Sequence, residues 1–154
     1  MDFNAVSLLE YGMKFLVVYF SRGGKTRKVA MTIAHELGCE TIDLAEESPD
    51  LSRTGFLVVG SGNYGGMPGD KILDFLKVLP EMSGGKAAVF ATSGGPNPKG
   101  IPAMRKILEA KGYEVVSSFD CRGQFTLLSR GHPTDDDLRD ARAFANDLKK
   151  IAGG

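Results

Sequence analysis

The sequence predicts a doubly wound α/β sandwich, a five-stranded parallel sheet in the order 2-1-3-4-5 with helices on both faces. Three observations predict it. Near-continuous apolar, β-branched runs recur along the chain, stretches of helical period separate them, and glycine-rich turns follow several of the runs. Strands buried on both faces are written as unbroken apolar runs because helices cover each side.

Lys14–Phe20 (KFLVVYF) is the first such run. Val29, Ala30, Ile33, Ala34 and Leu37 then recur at helical spacing, with Gly38 as a C-terminal stop. Cys39–Leu44 predicts a short second strand, residues 45–54 are polar turn material, and Phe56–Gly60 (FLVVG) predicts the next buried strand. Pro68–Asp70 opens a helix that carries Ile72, Phe75, Leu76 and Leu79 on one face and ends near Pro80. Gly84-Gly85 leads into a strand over Ala87–Thr92. Pro102 suits the first turn of another helix, with Met104, Ile107 and Leu108 inward and Gly112 at its end. Val115–Phe119 is the last clear strand. Thr134–Asp137 resembles a capping box with Asp in place of Glu, ahead of the stripe Leu138, Ala141, Ala145 and Leu148.

A length of 154 residues predicts one domain, placed at residues 13–154, with residues 1–12 as an N-terminal extension outside the pattern. Nineteen basic and nineteen acidic residues cancel, and no basic stripe is interleaved with aromatics, which argues against a nucleic-acid partner. Cys39 and Cys121 stand alone, without CxxC or Cys/His spacing, so reduced thiols are expected and no metal site. No apolar run has the length of a membrane span, and the first residues lack the pattern of a signal peptide. The expected location is cytoplasmic. Twenty glycines include four adjacent pairs, at 23–24, 65–66, 84–85 and 94–95, which mark turns or places where backbone approaches a ligand.

The first strand runs into Ser21-Arg22-Gly23-Gly24-Lys25-Thr26 and then directly into a helix. Gly23 and Gly24 allow a tight turn whose N–H groups converge on an anion, and the helix start adds its own donors and dipole. Ser21 and Thr26 bring hydroxyl donors, and Arg22 and Lys25 bring positive charge. The glycines are adjacent and GxxxxGK[ST] is absent, so neither dinucleotide fingerprint nor Walker loop is present. An ordinary strand-to-helix turn capped by Thr26 has the same composition.

Val17-Val18-Tyr19-Phe20-Ser21, then Gly24, Thr26, Ala30 and Ile33, resembles the flavodoxin phosphate-loop motif at every constrained position. The rest of the chain, from about Met13 to Ala152, is similar to flavodoxins too. The resemblance implies a flavodoxin-like fold, FMN as cofactor, and one-electron transfer between redox partner proteins. It assigns the phosphate to Ser21, Arg22, Gly23, Gly24, Lys25 and Thr26. It assigns the flavin ring to two further loops, Ser61-Gly62-Asn63-Tyr64-Gly65 and Thr92-Ser93-Gly94-Gly95. Tyr64 is the candidate for stacking on the ring, against the alternative that it packs on Met67 or a helix. No catalytic side chain is assigned.

The chain departs from typical flavodoxins in being neutral rather than acidic, in lacking tryptophan, and in placing Arg22 and Lys25 in the phosphate loop. Lys71, Lys99, Arg105 and Arg122 are further candidates for a basic rim. An FMN-binding electron carrier is the leading expectation. The alternatives are a flavodoxin-like NAD(P)H-dependent quinone or FMN reductase, and a non-redox module for another phosphate ligand.

Overall fold

The computed structural model describes residues 14–51, 54–64, 67–93, 99–122 and 135–153. In chain order the elements are β1 (Phe15–Phe20), α1 (Lys25–Leu37), β2 (Thr41–Asp43), β3 (Phe56–Tyr64), β4 (Met67–Pro68), α2 (Asp70–Lys77), β5 (Lys86–Ser93), α3 (Gly100–Ala110), β6 (Glu114–Arg122) and α4 (Asp135–Gly153). The sheet runs β2-β1-β3-β5-β6, every neighbouring pair on that path is parallel, and β4 pairs antiparallel with β3 outside it. Setting the two-residue β4 aside, the order is the expected 2-1-3-4-5.

Alternation along each strand sorts the apolar residues onto two faces. Val17 and Tyr19, Phe56 and Val58, and Ala88 and Phe90 face α1 and α4, where they meet Val29, Ile33, Ala145 and Leu148. Leu16 and Val18, Leu57 and Val59, and Val89 and Ala91 face α2 and α3, where they meet Ile72, Leu76, Met104 and Leu108. This double burial is why the strands lack polar alternation. Each large aliphatic side chain taken fully from water stabilises the fold by roughly 1.5–3 kcal/mol.

The helix ends follow their punctuation. Gly38, at φ 68°, caps α1, with N–H bonds returning to Ala34 and His35 carbonyls. α2 stops at Lys77, two residues short of the expected Leu79, yet Leu79 stays buried in the core cluster on the α2 and α3 face. α4 opens on Asp135, Asp136 and Asp137, where carboxylates meet the positive end of the helix. Arg139 pairs with Asp136 on the same face. Thr134 and residues 1–12 lie outside the described residues.

Three strands, β3, β5 and β6 (which reaches Arg122 rather than Phe119), run past their expected ends for one reason. β3 continues past Gly60 to Tyr64, and β5 continues to Ser93, because main-chain pairing carries on through polar residues and glycine. β2 is shorter than Cys39–Leu44, because only Thr41–Asp43 find partners on β1. Between Ala87 and Ala88 the β5–β6 register shifts by one residue, which inserts Val116 as a bulge.

Candidate functional site at the carboxyl ends of the strands

Those of the singled-out residues that are described lie where the strand order reverses, between β1 and β3 and next to β5. In register, Phe20 lies beside Ser61, and Gly62 lies beside Thr92. The Ser21–Thr26 loop leaves β1 at that level and enters α1. This is the crevice position for ligands of doubly wound sheets.

The first loop is built from its own side chains. Ser21 Oγ accepts the Gly24 N–H at 3.0 Å, which closes the turn while leaving the hydroxyl proton available for donation. Gly24 has φ 87°, a left-handed conformation that side chains resist, and the space where a Cβ would stand is open there and at Gly23. Arg22, Gly23 and Gly24 are exposed, Lys25 and Ser21 half-buried, and Thr26 buried. Thr26 Oγ1 lies 2.7 Å from Thr92 Oγ1, a buried contact between α1 and the end of β5.

The start of α1 is unusual in its charge. Gly24 supplies no capping side chain, no acidic residue stands in the first turn, and Lys25, Arg27 and Lys28 stand there instead. The first N–H groups of any helix lack intrahelical acceptors, and cations beside them oppose the dipole. An anion seated on this turn reverses the sign of both effects. The donor set therefore fits a phosphate, as an FMN phosphate requires.

The second segment is organised by Ser61. Its buried hydroxyl donates to the Gly62 carbonyl at 2.8 Å and accepts the Gly69 N–H at 3.0 Å. Ser61 thus fastens the exit of β3 to the entry of α2. Between those points Asn63 pairs with Pro68 and Tyr64 with Met67, a small antiparallel ribbon that sequence reasoning missed. Its signal was present: two glycines, Gly65 and Gly66, separate the paired residues, and that composition favours two-residue hairpin connections. Met67 is exposed opposite Tyr64, an additional residue at the mouth. Of the third segment, Thr92 and Ser93 end β5, while Gly65, Gly94 and Gly95 fall outside the described residues.

Of the expected basic rim, Lys71 and Lys99 stand at the starts of α2 and α3, at the site's end of the sheet. Arg105 does not belong to it. Its guanidinium turns to the Val115 carbonyl and Glu109, near the opposite end of β6.

Among the described residues no cluster of His, Cys, Asp and Glu forms a metal site, and no helix is long and apolar enough to cross a membrane. The cysteines are far from nucleophilic. Burial pushes the Cys121 thiol up to about 12, with Asp137, Asp120 and Asp140 adding to it. Burial likewise pushes Cys39 up to about 11, against a backbone hydrogen bond from Val17. In native protein at pH 8, iodoacetamide should modify Cys121 only at the rate of unfolding, as mass spectrometry would show. Because the unfolded chain releases these protons first, near 9.0, stability should fall as pH climbs from 9 towards 12. Rapid Cys121 alkylation would contradict its burial.

Known proteins resemble this arrangement over most of its length. A family model described as Flavodoxin domain matches residues 16–125. An uncharacterized protein of Methanocaldococcus jannaschii is 34% identical over 150 residues, covering 90% of this chain and 99% of that protein. Oxidised Flavodoxin 1 of Bacillus cereus superposes with a TM-score of 0.72 at 24% identity, covering 89% of this chain and 98% of its own. Rubredoxin oxygen:oxidoreductase from Desulfovibrio gigas gives a TM-score of 0.74 at 15% identity, where this chain matches only 36% of the larger protein. The two structures share the fold. The phosphate-loop residues lie inside the matched span 16–125, and with that span covering most of the sequence, the chain belongs to the flavodoxin family.

Proposed function

We propose that the chain binds one FMN, with its phosphate on the Ser21–Thr26 loop, and relays electrons between redox partner proteins. The observation that carries this reading is the uncapped, basic first turn of α1. A helix start with Lys25, Arg27 and Lys28 and no acid is unfavourable by itself and favourable with an anion.

Ser21 donates its hydroxyl proton to the phosphate while its lone pair keeps the Gly24 N–H. Thr26 donates from the floor of the turn. The Asn63–Tyr64 strand end and its Met67–Pro68 partner would stand on one side of the ring, and the end of β5 at Thr92 and Ser93 on the other. Ser61 holds the first of these in place through the Gly62 carbonyl and the Gly69 N–H. The bound flavin supplies the redox chemistry, so the chain contributes position and electrostatics and needs no side-chain acid or base.

The test is a titration of apo-protein with FMN and with riboflavin, which has the same ring and no phosphate. FMN should bind far more tightly. Hydrogen bonds to a charged acceptor contribute roughly 1.5–3 kcal/mol each. Ser21→Ala with Thr26→Ala should therefore weaken FMN at least tenfold, with a much smaller change for riboflavin. Equal affinity of wild-type protein for the two flavins would overturn the reading.

A further inference from the structure

We infer that Thr92 is a positioning residue for the phosphate, acting through Thr26 as a two-hydroxyl relay. The inference rests on the phosphate reading above and deepens it. Thr26 and Thr92 are 2% and 6% exposed, their oxygens 2.7 Å apart, although 66 residues separate them in the chain. Alternation on β5 puts Thr92 on the same face as Ala88 and Phe90, the face that α1 covers. Gly62, its register neighbour on β3, presents no side chain on that row.

Counting protons decides what this contact does. Each threonine hydroxyl carries one proton and two lone pairs. If Thr26 donates to Thr92, its proton is spent and none is left for a ligand. If Thr92 donates to Thr26, the Thr26 proton is released to point out of the turn. A phosphate oxygen beside the loop is only an acceptor, so it selects the second arrangement, Thr92 to Thr26 to phosphate. A hydroxyl that already accepts a bond is also the stronger donor. The geometry thus makes the end of β5 a support for the α1 loop. Phosphate capture and the end of β5 share one buried hydrogen bond.

The experiment compares the FMN-to-riboflavin affinity ratio in wild type, Thr92→Val, Thr92→Ser and Thr26→Val, each checked for folding by circular dichroism. Thr92→Val should lower the ratio at least threefold and move the ³¹P resonance of bound FMN. Thr92→Ser should restore both. In a Thr26→Val background, adding Thr92→Val should change the ratio little, because the relay is already broken. Should Thr92→Val not fold, Thr92→Ala removes the same hydroxyl without bulk and is read in the same way. An unchanged ratio, an equal loss for both flavins, failure of serine to rescue, or additive losses in the double variant would each overturn the relay. A wild-type ratio near one would instead refute the phosphate reading itself, which separates the two failures.

Discussion

Gly60→Val should leave no cooperatively folded protein, although valine is the better strand former. Gly60 lies near the middle of the central strand, between Tyr19 on β1 and Phe90 on β5. The Phe90 ring lies across its α-carbon, and a Cβ at that point would overlap three ring carbons. Phe90 is fully buried and packs in the cluster of Val58, Ala88 and Ile33, so the ring can give way to one added carbon only by straining its neighbours. Overpacking typically costs about 1–3 kcal/mol, and more where the neighbour cannot give. Valine's β propensity returns at most about 1 kcal/mol. Valine adds two methyl groups to a Cβ that already overlaps the ring, so its cost should go well past that usual range and take most of the roughly 5–15 kcal/mol that holds a domain together. Gly60→Ala should survive with a lower urea midpoint, and pairing it with Phe90→Leu should cost less than the two single changes added together. A Gly60→Ala protein as stable as wild type would show that the ring lies elsewhere.

That pair also shows what is legible in a sequence of this kind. The runs KFLVVYF and FLVVG announce buried strands because both faces of each are apolar. Gly60 reads as the end of a run, since nothing local shows that a phenylalanine thirty residues later will lie over it. The same limit hides the strand extensions. Ser61–Tyr64 are polar or glycine, and only the neighbouring β5 and β4 make them strand. In the site, the loop motif and its converging partners could be read from residue types and strand order. The roles within it could not. Ser61 reads only as a hydroxyl beside the site, and its tie from the Gly62 carbonyl to the Gly69 N–H needs the fold to be seen. Thr92 gains a purpose only when Thr26 is found beside it.

Reversing charge in the first turn of α1 should stabilise the apo-protein and cripple its ligand binding at once. Arg27 and Lys28 are exposed, outside the buried face of α1, so Arg27→Glu with Lys28→Glu changes the field of the turn while keeping its packing. Carboxylates at a helix N-terminus are favourable by about 0.3–1 kcal/mol each, and the cations they replace are unfavourable by a similar amount. Exposure and salt reduce the sum, so a net gain of about 1 kcal/mol is expected in apo-protein, worth roughly 2–4 °C in Tm for a chain of this size. FMN affinity should move the other way, falling at least tenfold at low salt and by less at 0.5 M, because the lost attraction is the part that salt screens. Riboflavin affinity should change far less, since it brings no phosphate to the turn. The opposite signs make the test sharp: a general loss of structure lowers both Tm and affinity, and a surface change of no consequence lowers neither. Stabilised apo-protein with undiminished FMN affinity would mean that the phosphate sits away from α1. A variant that gains stability while losing FMN would show that this helix start is kept in an unfavourable state by itself, so that an anion completes it.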